Sequence, residues 1–217
     1  MIKAVIFDLD GLLIDSEPIA YSILQDMVKP YGGFITLDDY TSNYLGRTVR
    51  TGMHTIATDY NIPVDEEELF KLYLKLEEER VSQGIPLKKG GKELLSYLKN
   101  SGYKMIVASS SIRKRAESIL AYHNLSHYFD DMVFGYEVEK SKPYPDIFLK
   151  ACEKLGVNTD EAIVLEDSES GIQAGYSANI PVICIPDLKL PEKEFLSKAS
   201  FVFDSLFDVI EYLEKNN

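Results

Sequence analysis

The sequence predicts an α/β fold: a mostly parallel sheet flanked by helices, with an all-helical block inserted near its beginning. Three observations predict it. Short apolar runs rich in β-branched residues recur at Ala4–Phe7, Tyr103–Ala108, Met132–Phe134, Ala162–Leu165 and Pro181–Ile185, and segments of helical periodicity separate the later ones. Between about residues 15 and 83 the patterns are nearly all helical, with no convincing strand. Three of the apolar runs end abruptly in polar residues, and a parallel sheet brings such ends to one edge, where open α/β sheets bind ligands.

The first run, within KAVIFDLDGLLID (Lys3–Asp15), breaks at Asp8 into a loop carrying Asp8, Asp10 and Gly11. Two acids that must address one substrate from a turn need backbone freedom, which Gly11 supplies. Ser16-Glu17-Pro18 then offers a cap, a first-turn acid and an early proline for a helix bearing Ile19, Ile23, Leu24, Met27 and Val28. Thr36–Tyr44 reads as a capped acidic helix. Leu45-Gly46-Arg47-Thr48 reads as a turn holding a cation, and a helical stretch runs from Val49 to about Tyr60. A long charged helix from Asp65 to about Ser82 shows one stripe, Leu69, Leu72, Tyr73 and Leu76.

After Gly84-Ile85-Pro86 the alternation resumes. Lys92–Lys99 is a short helix, and the strand Tyr103–Ala108 ends in Ser109-Ser110-Ser111. The helix Ile112–His123 carries Arg113, Lys114 and Arg115 at its start, unfavourably for the helix dipole, so anions are expected beside them. Asp146–Leu155 is a helix stopped by Gly156, Ala162–Leu165 ends in Glu166-Asp167, and Gly171–Ala178 is a helix. Phe201–Phe203 offers a sixth strand and Ser205–Lys215 a closing helix. Right-handed βα crossovers then give the sheet. The expected boundaries are a core of residues 1–14 and 84–217 and a helical domain of residues 15–83.

With 35 acidic against 23 basic residues, the net charge of −12 repels nucleic acid and anionic membrane surfaces, so an anionic substrate needs a local group of cations. The N-terminus lacks an apolar leader core and no run approaches the ~20 residues of a membrane span, which leads to the expectation of a cytoplasmic protein. Cys152 and Cys184 are too few for a disulfide framework and read as packed thiols. His54, His123 and His127 form no metal-ligand pattern.

The strand ends at Asp8-Leu9-Asp10, Ser109-Ser110 and Glu166-Asp167 converge, and Lys142, in a loop stiffened by Pro143 and Pro145, is placed to join them. Three carboxylates and a phosphate dianion would then face one ammonium. Unit charges ~4 Å apart interact by about 4 kcal/mol at an effective dielectric of about 20, so several uncompensated pairs could not persist; a divalent cation is the simplest remedy, and hard oxygen donors without His or Cys select Mg²⁺.

Phe7-Asp8-Leu9-Asp10-Gly11, Ser109 after a strand, Lys142-Pro143-x-Pro145-Asp146 and Glu166-Asp167-Ser168, in this order, resemble the haloacid dehalogenase superfamily of phosphotransferases, in particular its β-phosphoglucomutase-like phosphatases. The resemblance spans essentially the whole chain. It implies a Rossmann-like core with a small helical cap, Asp8 as nucleophile forming an aspartyl phosphate, and Asp10 as general acid and base. It further implies Mg²⁺ held by Asp8, the Asp10 carbonyl and Asp167 with Glu166 nearby, and phosphoryl binding by Ser109, Ser110 and Lys142. Hydrolytic dehalogenases lack the second Asp and the metal, so Asp10 favours phosphoryl transfer.

In the cap, Gly46-Arg47-Thr48 matches the position of the family's specificity loop. Arg47 or Arg50 would meet a substrate anion or hydroxyl, with Glu17, Tyr21 and Tyr44 as lesser candidates. Mutases of this group carry a cap His where this chain has Ala20. Their phosphate-gripping Lys falls where Ile112 and Arg113 stand here, and their cap Arg where Val49 stands. The expected activity is therefore Mg²⁺-dependent hydrolysis of a small phosphorylated metabolite, a sugar phosphate, by a monomer or weak dimer. A sugar phosphomutase is the alternative, and a silent binding protein on the same fold a minor one.

Overall fold

The computed structural model describes residues 1–216. The chain forms two compact units, one built from Met1–Asp15 and the chain from Pro86 onward, the other from Ser16–Ile85.

The second unit contains α1 (Glu17–Val28), α2 (Leu37–Asn43), α3 (Val49–Asp59) and α4 (Glu66–Gln83). Thr36 caps α2 by accepting from the Asp39 N–H, Thr48 caps α3 from Thr51, and Asp65 caps α4 from Glu67, which satisfies N–H groups that a helix start leaves unpaired. Ser16, expected to cap α1, does not: its backbone is already helical and its side chain makes no cap bond. The interior gathers Ile23, Leu24 and Met27 of α1, Met53 and Ile56 of α3, and Leu69 and Tyr73 of α4. Leu72 departs from the expected stripe and stays exposed, because it lies roughly 100° around the helix from Tyr73.

The first unit is a sheet of six parallel strands among the described residues, in the order β3-β2-β1-β4-β5-β6. These are β1 (Ala4–Phe7), β2 (Lys104–Ser109), β3 (Asp131–Phe134), β4 (Ala162–Glu166), β5 (Val182–Cys184) and β6 (Phe201–Val202). The strands β1 and β4 are buried along their whole length, and β2 beyond Lys104, as expected of parallel strands covered on both faces. Helices α5 (Gly91–Asn100), α6 (Arg113–Tyr122), α7 (Asp146–Leu155), α8 (Glu169–Ser177), the short α9 (Lys193–Leu196) and α10 (Leu206–Asn216) flank it. Sequence reasoning missed α9, whose single turn carries no periodicity.

Register fixes the site. Phe7 of β1 pairs with Val107 of β2 and Leu165 of β4, so Asp8, Ala108 and Glu166 stand at one level near the C-terminal edge of the sheet.

Candidate active site

At Asp8 the chain turns. The Leu9 carbonyl accepts from both the Leu13 and Ile14 N–H groups, and the Gly11 N–H donates to Ile14, closing a tight loop in which Gly11 takes a left-handed conformation (φ 81°). A Cβ at Gly11 would collide with the Asp167 carboxylate. Glycine is therefore required twice, for backbone angle and for approach.

Lys142 is the hub. Its ammonium donates to Asp8 Oδ1 at 2.5 Å, to Glu166 Oε1 at 2.6 Å and to the Ala108 carbonyl at 3.0 Å, so all three N–H bonds are used and the group is fixed in space. It lies 5.1 Å from the centre of the Phe148 ring. Pro145 sits at the start of α7 and places the loop; the Lys142–Pro143 peptide is cis. Burial disfavours the ammonium, but the carboxylates of Asp8 and Glu166 outweigh it and hold its pKa above the ordinary lysine value.

Glu166 is fully buried and both its oxygens are occupied. Oε1 takes Lys142, and Oε2 accepts from the Asp167 N–H, the Ser168 N–H and the Ser168 hydroxyl at 2.9–3.0 Å. Its carboxylate fills the space where a Cβ on Gly171 would stand. Glu166 thus positions Lys142 through Oε1 and the start of α8 through Oε2.

Asp8 is 7% exposed, and burial pushes its pKa up to about 7 despite the opposing pull of Lys142. Burial, then the negative charges of Glu166, Asp8 and Asp187, holds Asp167 well above the usual carboxylate range. An acid whose pKa is higher in the folded than in the unfolded chain binds more protons when folded, so stability falls as pH rises through that interval, here from 3.8 to about 7 for Asp8. In chelator, the denaturant midpoint is therefore expected to be higher at about pH 5 than at about pH 8. Equal midpoints, or a rise toward pH 8, would contradict these environments.

Ser109 is buried and its hydroxyl accepts from the Ser111 N–H at 3.0 Å, whereas Ser110 is exposed. The Asp10 side chain makes a two-pronged pair with Arg115, at 2.8 and 2.9 Å, and Arg115 also donates to the Ser111 hydroxyl. The anion expected beside the cations opening α6 is thus Asp10 for Arg115, and Glu137, at 2.8 Å, for Arg113. Sequence reasoning did not single out Arg115 as a partner of the site; the three cations set against the helix dipole were the signal.

Of the expected cap residues, Gly46 adopts φ 75° in its turn and Arg47 is exposed, with no side-chain partner among the described residues. Arg50 is held within its own unit, donating to Glu67 at 2.8 Å and lying 4.1 Å over the Phe70 ring. Cys184 is buried, and burial followed by Asp167 and Glu166 pushes its thiol up to about 12, so it is inert as a nucleophile.

No group of three or more His, Cys, Asp or Glu side chains among the described residues is arranged to hold a metal. Beside the committed Lys142 stand the carboxylates of Asp8 and Asp167, both held up by burial and like charge, with Asp187 close to Asp167. Hard oxygen donors in that number suit Mg²⁺, which binds through one or two carboxylates and keeps several waters.

Residues 5–185 match the haloacid dehalogenase-like hydrolase family. Over 179 residues the chain is 35% identical to the phosphorylated carbohydrates phosphatase of Thermotoga maritima, with 82% of each chain covered. It is 29% identical to hexitol phosphatase B of Escherichia coli K12, covering 85% of this chain and 84% of that one. To the bifunctional riboflavin kinase/FMN phosphatase of Arabidopsis thaliana it is 33% identical, covering 95% of this chain but 54% of that protein. The crystal structure of a putative β-phosphoglucomutase from Thermotoga maritima superposes with a TM-score of 0.86 at 29% identity, covering 99% of both chains. The chain belongs to the haloacid dehalogenase-like hydrolase family and is one of its phosphoric monoester hydrolases.

Proposed function

We propose that the protein hydrolyses a small phosphorylated metabolite, a sugar phosphate, through an aspartyl phosphate at Asp8, with Mg²⁺ as cofactor. The observation that carries this reading is the buried Lys142 ammonium fixed between Asp8 and Glu166 at the sheet edge, with Asp167 beside them.

A carboxylate is a nucleophile without help from a base, and Asp8 in its ionised form attacks phosphorus in line. The bond from Asp8 to phosphorus forms as the ester P–O bond breaks. Asp10 delivers a proton to the departing oxygen and takes one back from the water that next attacks phosphorus, releasing phosphate and restoring the Asp8 carboxylate. For this Asp10 exchanges its pairing with Arg115 for the substrate. Lys142, Ser109 and Ser110 hold the transferring oxygens, Lys142 by sharing or trading one of its three hydrogen bonds. Asp8, Asp167 and the Asp10 carbonyl would hold Mg²⁺, which when bound supplies charge neutralisation for the phosphoryl group and favours the ionised form of Asp8. Glu166 acts through Lys142.

The helical unit selects the substrate, and Arg47 is its recognition cation. Arg47→Ala is expected to raise KM for the best substrate by roughly 10- to 100-fold, the worth of a charged hydrogen bond, with kcat changed far less. An unchanged KM would dismiss Arg47. The similarity to a putative β-phosphoglucomutase favours one second reading, sugar phosphomutase. Ala20, Val49 and Ile112 stand where that activity places its own groups, and the relatives at 35% and 29% identity are phosphatases. A panel of phosphorylated metabolites with and without Mg²⁺ tests the proposal. Phosphate release that needs Mg²⁺ is expected; isomerisation of β-glucose 1-phosphate in the presence of its bisphosphate, without phosphate release, would replace hydrolase by mutase.

A further inference from the structure

The chain leaves β5 beside the site, since Cys184 pairs with Glu166 and the Ile185 N–H donates to the Glu166 carbonyl at 2.8 Å. Two residues on stands Asp187, whose side chain is 7% exposed. Its two oxygens differ. Lys88 donates to Oδ1 at 2.5 Å, and the same ammonium lies 3.5 Å from Asp15. Oδ2 is buried and has no hydrogen-bond partner, the one such side-chain atom among the described residues.

That oxygen has a definite direction. It lies 3.2 Å from where a Cβ on Gly11 would stand, and the Asp167 carboxylate overruns the same point. An unpaired buried oxygen and the carboxylate that would hold Mg²⁺ therefore face the same side of Gly11. A buried acceptor without a partner is costly, and a donor that arrives with a ligand removes the cost.

We infer that Asp187 is a positioning residue of the metal site, its Oδ2 accepting a hydrogen bond from a water that the Mg²⁺ keeps, while Lys88 fixes the direction of that oxygen. The inference rests on the reading above that Asp8 and Asp167 hold Mg²⁺. Direct ligation by Asp187 is not needed, because Mg²⁺ retains waters and groups beyond its ligands set their orientation. Burial raises the Asp187 carboxyl pKa, and Asp187 is one of the charges that raise that of Asp167.

Asp187→Asn separates this role from simple pairing with Lys88. Lys88 will keep the amide oxygen, which turns the –NH₂ group, a donor, to where the acceptor stood. Calorimetric titration of chelator-treated protein with Mg²⁺ is expected to show Kd weakened roughly 10- to 100-fold, while the metal-free melting temperature is unchanged or higher. A lower melting temperature with Kd within twofold of wild type would make Asp187 a counter-ion of Lys88 only and overturn the inference. Should the Asn variant not fold, Lys88→Met decides: releasing Oδ1 is expected to weaken Kd severalfold, and an unchanged Kd overturns the inference. If the wild-type protein itself binds no Mg²⁺, the metal reading of Asp8 and Asp167 falls, and this inference with it.

Discussion

Asp8→Asn is expected to lower kcat by roughly four orders of magnitude or more while leaving the fold intact, because it removes the only atom proposed to form a bond to phosphorus. The amide has the shape of the carboxylate, and its oxygen still accepts from Lys142, so the hub survives. The substitution also removes a buried negative charge that burial disfavours and that Glu166 and Asp10 repel. The metal-free melting temperature should therefore hold or rise. Loss of activity with retained or increased stability is the signature of a functional charge kept against its own energetics. Activity within tenfold of wild type would remove Asp8 from the nucleophile's role.

Lys142→Met is the second large effect, and it acts on stability as well as turnover. Methionine fills much of the volume beside Phe148 but leaves Asp8 and Glu166 buried without a cation. Breaking a buried ion pair from one side costs about 3–5 kcal/mol. The loss is expected in full near pH 8, where both acids would have to stay ionised. It should shrink as pH falls, because without the ammonium the folded state takes up protons that the unfolded chain releases above about pH 4. Phosphate release should fall with it. Unfolding curves at about pH 5 and pH 8 check this; a loss that grows toward low pH would mean that Lys142 does not neutralise these carboxylates.

Much of this site was legible in the sequence because it depends on topology. Once Ala4–Phe7, Lys104–Ser109 and Ala162–Glu166 are parallel neighbours, the residues that follow them share one edge, and Asp8, Ser109 and Glu166 meet there. The apolar runs announced the strands because both faces of such a sheet are buried. What the sequence hid depends on where side chains point. Arg115 and Asp10 are 105 positions apart, and Lys88 and Asp187 are 99 apart. No local pattern carries such pairs, which need the turn at Gly11 and the exit of β5 to be known. Glu166 shows the same limit: adjacency to Asp167 suggested a place near the metal, but its bonds to Lys142 and to the start of α8 show only in the structure. Among the helices, Ser16 carried the right residue type for a cap in the wrong backbone conformation, and Leu72 had the right chemistry on the wrong side of α4.

The proposal that the phosphoryl group passes through Asp8 is tested most directly by trapping it. The enzyme is mixed with its best substrate and Mg²⁺, quenched in acid within one turnover, reduced with borohydride and digested for peptide mass spectrometry. An aspartyl phosphate reduces to homoserine, so homoserine at position 8, absent without substrate and absent from Asp8→Asn, is the expected result. Turnover without modification at Asp8, or with homoserine at Asp10 or Asp167 instead, would contradict the account.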